Sequence, residues 1–234
     1  MPDATSLDLN PSYTGLHRDL VRILPDGPRR VLDVGCATGA MGRYLADTQG
    51  SAVWGIEYDA AMAELARASL RGVFHADLNR VSVASLTHAC DYDLVVCGDV
   101  LEHLVDPWAL LARIRATLAP SGAVAACIPN MQHWSVTVRL VTGELHYEAA
   151  GLLDRTHLRW FTRATIDAMF RGAGYDVVRW GRRVYDAPMR DRALAAIGNM
   201  AAVVGADPDA ARSDADVFQW LVLARAARSP EPRS

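Results

Sequence analysis

From Val31 onward, short runs rich in valine and isoleucine alternate with longer stretches of helical period. That alternation is the strongest constraint on the fold, because parallel strands must be joined by crossovers of about a dozen residues or more, usually helices. Residues 30–35, 52–57, 72–75, 92–97 and 122–128 read as strands. Helices are expected over 39–47, 60–70 and 107–118, the last with Pro107 at its first turn and Pro120 just past its end. Beyond Pro129 a helix is expected over 132–141 and another over 163–171, with Thr162 as N-cap and Gly172 and Gly174 as its stop. Two final strands, 175–185 and 217–226, flank an alanine-rich helical stretch over 190–204, and an amphipathic helix over 12–24 precedes the sheet. The strands are near-continuously apolar, so both faces are buried: an α/β, doubly wound, mostly parallel sheet.

Residues 31–39 read Val-Leu-Asp-Val-Gly-Cys-Ala-Thr-Gly, a strand entering a glycine turn that opens a helix. Glycine at Gly35 and Gly39 lets a ligand approach the backbone. In open α/β sheets, ligands bind beyond the carboxyl ends of strands where the strand order reverses, which is where this turn belongs. The second strand ends in Glu57, a carboxylate able to accept both hydroxyls of a ribose, and Tyr58 can pack on an adenine face. Asp77 follows the third strand as an acceptor for an exocyclic amine, with Leu78 as an apolar wall. Each piece alone reads equally well as a tight turn or a solvated strand end; their order at three successive strand ends points to a nucleotide-type pocket. Ala37 occupies the second glycine position of the dinucleotide pattern GxGxxG, which weakens a nicotinamide oxidoreductase.

With 234 residues, 51% of them hydrophobic, the chain suffices for one catalytic-size domain spanning 1–234, its sheet core over about 29–228 and its substrate-side elements over about 130–162. A net charge of −3 gives no field toward a phosphate backbone or an anionic membrane, so neither nucleic acid nor membrane is expected as a partner. All 24 basic residues are arginine. Without lysine there is no Schiff base and no Walker-type phosphate lysine. Cys36, Cys90, Cys97 and Cys127 form no CxxC pair and read as reduced thiols of a cytoplasmic protein. No export signal or membrane span is read from the sequence.

The segments VLDVGCATG, GIEYD, HADL and YDLVVCGDVLEHLVDP together resemble the class I S-adenosylmethionine-dependent methyltransferases, over about residues 13–226. The resemblance implies a seven-stranded Rossmann-like sheet of the methyltransferase type, with an N-terminal helix and an antiparallel last strand. It also implies S-adenosyl-L-methionine as cofactor, with Asp33, Gly35, Gly39, Glu57 and Asp77 on the family's cofactor positions. Tyr13, Tyr58, Leu78 and Gly98 complete the expected cofactor-binding set, the backbone at Cys97 and Gly98 bordering the methionine part. The usual middle glycine of the loop is Ala37 here, a change of small consequence so long as its backbone keeps an ordinary conformation. At 97–100 the chain reads Cys-Gly-Asp-Val, so the Asn/Asp-Pro-Pro-aromatic motif that marks methyltransferases of DNA amino groups is absent.

Methyl transfer from a sulfonium is an in-line displacement for which alignment and desolvation supply much of the catalysis. A hydroxyl acceptor gains a further ~10²- to 10⁴-fold from a positioned base. The expected base is His157, oriented by Asp154 or another carboxylate, because histidine titrates near neutrality. The DRTHLRWFT stretch around it resembles one found in many methyltransferases of sugars, cell-surface glycans and secondary metabolites, so an architectural role stands beside the catalytic one. His133 and Trp134 read either as acceptor lining or as an anchor for the following helix. Glu102 and His103 lack a third ligand at metal spacing and read as closing the cofactor pocket, so no metal is expected. His17, His75 and His88 have no constellation around them. The expected activity is methylation of a hydroxyl on a small molecule, such as a sugar or glycosylated secondary metabolite. The alternatives are a small-molecule N-methyltransferase, a nicotinamide-dependent oxidoreductase, or an inactive cofactor-binding module. The 190–204 stretch reads either as the contact of a homodimer or as cover for the sheet.

Overall fold

The computed structural model describes residues 15–87 and 91–227. Seven strands, β1 (Arg30–Val34), β2 (Ala52–Glu57), β3 (Gly72–His75), β4 (Tyr92–Gly98), β5 (Leu118–Pro129), β6 (Tyr175–Arg183) and β7 (Gln219–Ala226), form one sheet. Their order is β3-β2-β1-β4-β5-β7-β6. β7 runs antiparallel to both β5 and β6, and every other neighbouring pair is parallel. This is the expected doubly wound sheet with its antiparallel last strand. The order reverses between β1 and β4, so the connections leaving their carboxyl ends diverge and open a crevice there.

The side-chain period of two sends alternate strand residues into two separate cores. On one face Leu32, Val34, Val95, Val124, Ala126 and Val222 pack with the helices α5 (Pro107–Arg115) and α7 (Arg163–Gly172), through Leu111, Ile114, Ile166 and Phe170. On the other, Val31, Val53, Leu94, Val96, Ala125 and Leu223 pack with α1 (Arg18–Val21), α2 (Ala40–Gln49) and α3 (Ala60–Ala66), through Leu20, Met41, Leu45 and Ala66. Each fully buried leucine, isoleucine or phenylalanine contributes about 1.5–3 kcal/mol. Helix starts follow the local chemistry. Asp106 caps α5 by accepting the Ala109 N–H at 2.9 Å ahead of Pro107, and Thr162 with Thr165 forms a capping box at α7.

Several boundaries differ from the sequence reading. The N-terminal helix is four residues long within the described chain; Ser12 and Tyr13 lie outside the described residues. α5 stops at Arg115 rather than reaching Leu118, which already pairs with Tyr92 as the first residue of β5. Thr117 ends the helix by turning its hydroxyl back onto the Ile114 carbonyl at 2.8 Å. Three short elements were not anticipated: α4 (Val83–Thr87), a 3₁₀ turn at Leu101–His103, and α9 (Pro208–Ala215). The alanine-rich stretch forms α8 (Arg190–Val203), which turns Ala193, Ile197 and Ala201 inward and packs against α9 and α6 (Trp134–Thr142) of the same chain. Cys36, Cys97 and Cys127 are buried free thiols, and Cys90 lies outside the described residues. No described helix is long and apolar enough to cross a membrane.

Candidate active site

Beyond the carboxyl ends of β1 and β2, the glycine turn and Glu57 lock together. Glu57 accepts the Ala37 N–H on Oε2 and the Asp59 N–H on Oε1, both at 2.8 Å. Each carboxylate oxygen offers two acceptor sites, so one remains on each for a pair of hydroxyls. Gly35 has φ +67°, and a Cβ there would lie 2.6 Å from Cγ2 of Val100, so nothing larger fits. Ala37 has φ +46°, so the condition under which its replacement of glycine is of small consequence is not met. The loop demands a left-handed residue at the family's middle-glycine position whatever side chain stands there, at a price of roughly 1–2 kcal/mol for an alanine. Asp33 is buried beneath this loop with Oδ2 lacking a hydrogen-bond partner. Burial, and then the charge of Glu57, push its carboxyl up to about 7. An orphaned acid and a carboxylate with acceptor sites to spare fit a ligand that brings a positive charge and ribose hydroxyls, as S-adenosylmethionine does.

The other expected cofactor residues surround the same crevice. Tyr58 stands 72% exposed on the rim, free to cover a base. Asp77 is half-buried, accepts the Asn79 N–H at 2.9 Å and pairs with Arg80 at 3.4 Å. Leu78 packs against the first core. Gly98 ends β4, where a Cβ would make only an ordinary 3.6 Å contact with Leu20, so its glycine is not required by packing. Tyr13 lies outside the described residues.

Next to the crevice is a cavity of about 710 Å³, whose lining includes His17, Asp99, Glu102, His157, Tyr185 and Phe218. A polar chain ties its roof to its floor. Asp19 pairs with Arg183 at 3.5 Å, Arg183 donates to Gln219 at 2.6 Å, Gln219 donates to Asp99 at 2.6 Å, and Asp99 stands 3.4 Å from Nε2 of His17. His17 also caps α1 by accepting the Leu20 N–H on Nδ1, so this histidine, expected to have no constellation, joins the N-terminal segment to β4. Burial opposes the ionisation of Asp99, yet His17, Cys127 and Arg183 hold its carboxyl below the usual range. Tyr185 and Phe218 make the aromatic side, ring centroids 5.1 Å apart.

His157 is buried at the cavity wall, and its Nδ1 faces the Leu152 carbonyl at 3.3 Å. Asp154, expected from sequence to orient it, has Oδ1 on the Thr156 N–H at 2.8 Å and the Thr156 hydroxyl at 2.7 Å, and its charge also acts on the His157 ring. The hydrogen-bond partner facing Nδ1 is the Leu152 main-chain carbonyl. Burial, and then the nearby His103, lower the His157 pKa. His133 caps α6 and has its pKa pushed down to about 4 by burial, which favours the anchoring reading over the lining one. His75 receives a role too: its Nε2 lies 2.9 Å from the Tyr58 carbonyl at the end of β2. His88 lies outside the described residues.

Glu102 is the residue the sequence undervalued. It is 1% exposed, and both carboxyl oxygens are buried without a partner. Burial, and then the charge of Asp99, raise its pKa well above the ordinary range. Linear spacing offers no third group beside Glu102 and His103, but the fold brings His157 to them, with one polar atom from each of the three within 4.8 Å of the others.

The family model for a methyltransferase domain matches residues 13–179. The chain is 32% identical over 154 residues to the ubiquinone biosynthesis O-methyltransferase of Psychrobacter arcticus, covering 63% of this chain and 59% of that one. It is 30% identical over 179 residues to the enzyme of the same name from Neisseria meningitidis serogroup A, covering 73% and 72%. Against the first of these relatives, the matched part thus spans about three-fifths of the relative's length. Among solved structures, a SAM-dependent methyltransferase from Archaeoglobus fulgidus shares the fold at a TM-score of 0.57 and 17% identity, covering 85% of this chain and 86% of that one. With the glycine turn, the acidic strand ends and the 3-2-1-4-5-7-6 sheet in place, the chain belongs to the S-adenosylmethionine-dependent methyltransferase domain family.

Proposed function

We propose that this protein transfers a methyl group from S-adenosylmethionine to a hydroxyl of a small molecule bound in the cavity between the N-terminal segment and the 150–157 loop, with His157 as general base. The observation that carries this reading is the placement of His157. A carbonyl can only accept, so the Leu152 oxygen opposite Nδ1 favours the tautomer with its proton on that nitrogen and leaves the Nε2 lone pair free to take a proton. The lowered pKa keeps the ring neutral, and so basic, at neutral pH. S-adenosylmethionine, when bound, supplies a methyl group already activated by positive charge. Asp33 and Glu57 would hold it at its charged and ribose parts, while Gly35 and Gly39 keep the loop close.

The acceptor class rests on the cavity. Tyr185 and Phe218, packed edge to face, offer an aromatic wall suited to a ring, aromatic or sugar, and the buried acid and histidines that also line the cavity suit a hydroxyl. The O-methyltransferase names of two relatives favour oxygen over nitrogen as the accepting atom. A sugar or glycosylated metabolite, the narrower expectation, is one member of this ring-hydroxyl class.

The test is S-adenosylhomocysteine release with a panel of phenols, catechols, sugars and amines, after confirming that S-adenosylhomocysteine, and neither NADH nor NADPH, raises the melting temperature. Hydroxylated rings are expected to turn over. In the His157→Ala variant, thermal stabilisation by S-adenosylhomocysteine should persist while turnover falls by ~10²- to 10⁴-fold. Turnover confined to amines, or an unslowed His157→Ala enzyme, would refute the assignment.

A further inference from the structure

Glu102 presents a physical problem that the proposed function leaves unsolved. A carboxyl with neither oxygen hydrogen-bonded and 1% exposure is a costly thing to bury, because each unsatisfied polar group forfeits its hydration. It is nevertheless held firmly. The Glu102 carbonyl accepts the Leu158 N–H at 2.8 Å and the Arg159 N–H at 3.0 Å, so the segment carrying His157 is fastened to the turn carrying Glu102. The three side chains of the cluster are thus preorganised around a point on the cavity wall.

The spacing identifies what belongs at that point. No hydrogen bond joins the Glu102 carboxyl to either imidazole, yet the three polar atoms lie within 4.8 Å of one another. Three polar atoms no farther apart than that can all be reached by one oxygen seated among them at hydrogen-bond range. Both rings have Nδ1 engaged, His157 by the Leu152 carbonyl at 3.3 Å and His103 by Thr156, with its hydroxyl at 3.1 Å and its carbonyl at 3.3 Å, which leaves each Nε2 as an acceptor. That arrangement supplies acceptors, and a hydroxyl seated between them has one proton to give and lone pairs still to satisfy.

We propose that Glu102 is a further catalytic residue: its carboxyl O–H donates a hydrogen bond to the acceptor oxygen while the acceptor hydroxyl gives its proton to His157. The inference rests on the hydroxyl-acceptor reading above. Burial and the neighbouring Asp99 favour the un-ionised acid, and an acid kept neutral in a dry site can act as a donor. Asp154, the other carboxyl near the cluster, works in the same direction. The donor stabilises negative charge as it develops on the acceptor oxygen, which is where preorganised donors act most strongly. In the step itself the O–H bond breaks with its proton passing to His157, the oxygen lone pair forms the new O–CH₃ bond, and the methyl carbon–sulfur bond breaks with its electron pair left on sulfur.

4-Nitrocatechol, whose visible absorption reports ionisation of its hydroxyl, is the probe, titrated into the protein saturated with S-adenosylhomocysteine in the presence and absence of EDTA. With the wild-type protein its ionisation should move down by about one pH unit or more on binding. Glu102→Gln, which still donates from its amide, should keep at least half of that shift and lose less than about tenfold in turnover. Glu102→Leu should abolish the shift and lose about 10²- to 10³-fold. Retained thermal stabilisation by S-adenosylhomocysteine shows that each variant is folded. A Glu102→Leu protein that behaves as wild type, a Glu102→Gln protein as impaired as Glu102→Leu, a wild type that binds the probe without a shift, or a shift that EDTA removes would each overturn the role of Glu102. A wild type that neither binds the probe nor methylates any hydroxyl in the panel would overturn the hydroxyl-acceptor reading itself, and this role with it.

Discussion

Asp33 is the residue whose environment is most at odds with its chemistry, and its effect on stability can be worked out. Its carboxyl is raised from 3.8 to about 7 by burial and then by Glu57. Between those values the folded protein binds more protons than the unfolded chain, so stability falls as pH rises across that window. The contribution is intact below about pH 4 and is lost by the time pH passes 7; a shift of this size corresponds to something of order 4 kcal/mol. Glu102 acts in the same direction, so comparison with a variant is needed to isolate Asp33. Asp33→Asn is expected to flatten the decline in urea-derived stability between pH 4 and 7 in the ligand-free protein while weakening S-adenosylhomocysteine binding. Parallel stability profiles for the two proteins would show that the acid is already paired. Residues of this kind were only half legible in sequence. Glu57 and Asp33 could be picked out because Glu57 closes its strand and Asp33 stands in its strand just before the glycine turn, whereas the surroundings of Glu102 depend on a histidine 55 positions away. Ala37 shows the converse: its identity was plain, but only the backbone reveals that the loop holds it at positive φ.

Among the elements, β2 and β3 run over the residues read from sequence, because their apolar runs stop at turn residues and acids. The elements around the cavity were harder. α9 is short and polar, with sequence Pro-Asp-Ala-Ala-Arg-Ser-Asp-Ala, and its helical state is fixed by Asp207, which caps it, and by tertiary contacts. One such contact is Asn130. The amide is fully buried at the end of β5 and donates to the carbonyls of Asp214 at 2.8 Å and Val217 at 2.7 Å, while its own oxygen accepts the Gln132 N–H at 3.1 Å. A second is Arg190, which reaches Asp216 through two hydrogen bonds of 2.6 and 2.9 Å and so closes α8 onto the end of α9. Asn130→Ala takes a donor from two carbonyls, of which that of Asp214 keeps the Val217 N–H at 3.3 Å, and a loss of about 1 to 3 kcal/mol follows. Hydrogen exchange should report the damage first in α9 and the start of β7, with β1 to β4 protected as before. A uniform loss of protection, or none, would mean that Asn130 does not pin this segment. Nothing in the linear sequence around Asn130 points to its partners, 84 and 87 residues further along.

At the scale of the whole molecule, the two cores are built from alternate residues of the same strands. β5 sends Val124, Ala126 and Ile128 to one and Ala123, Ala125 and Cys127 to the other, and β4 divides in the same way. Neither core can be exposed without breaking the sheet that the other rests on. The C-terminal part is bound in as well: β7 lies between β5 and β6, and the buried Tyr175 hydroxyl at the start of β6 donates to the Leu111 carbonyl of α5 at 2.9 Å. This arrangement predicts one cooperative unit for the described residues rather than a cofactor half and a substrate half. Indole groups sit on β2 (Trp54), α6 (Trp134), β6 (Trp180) and β7 (Trp220), so tryptophan fluorescence samples both sides of the sheet's reversal point. Urea unfolding followed by fluorescence and by far-ultraviolet circular dichroism should therefore give coincident curves with a single midpoint, moved upward without a change of slope by S-adenosylhomocysteine, which would add about 2.7 kcal/mol at 100-fold above its Kd. Two separated transitions, only one of them moved by the ligand, would mean that the cofactor side of the sheet folds independently of β5 to β7.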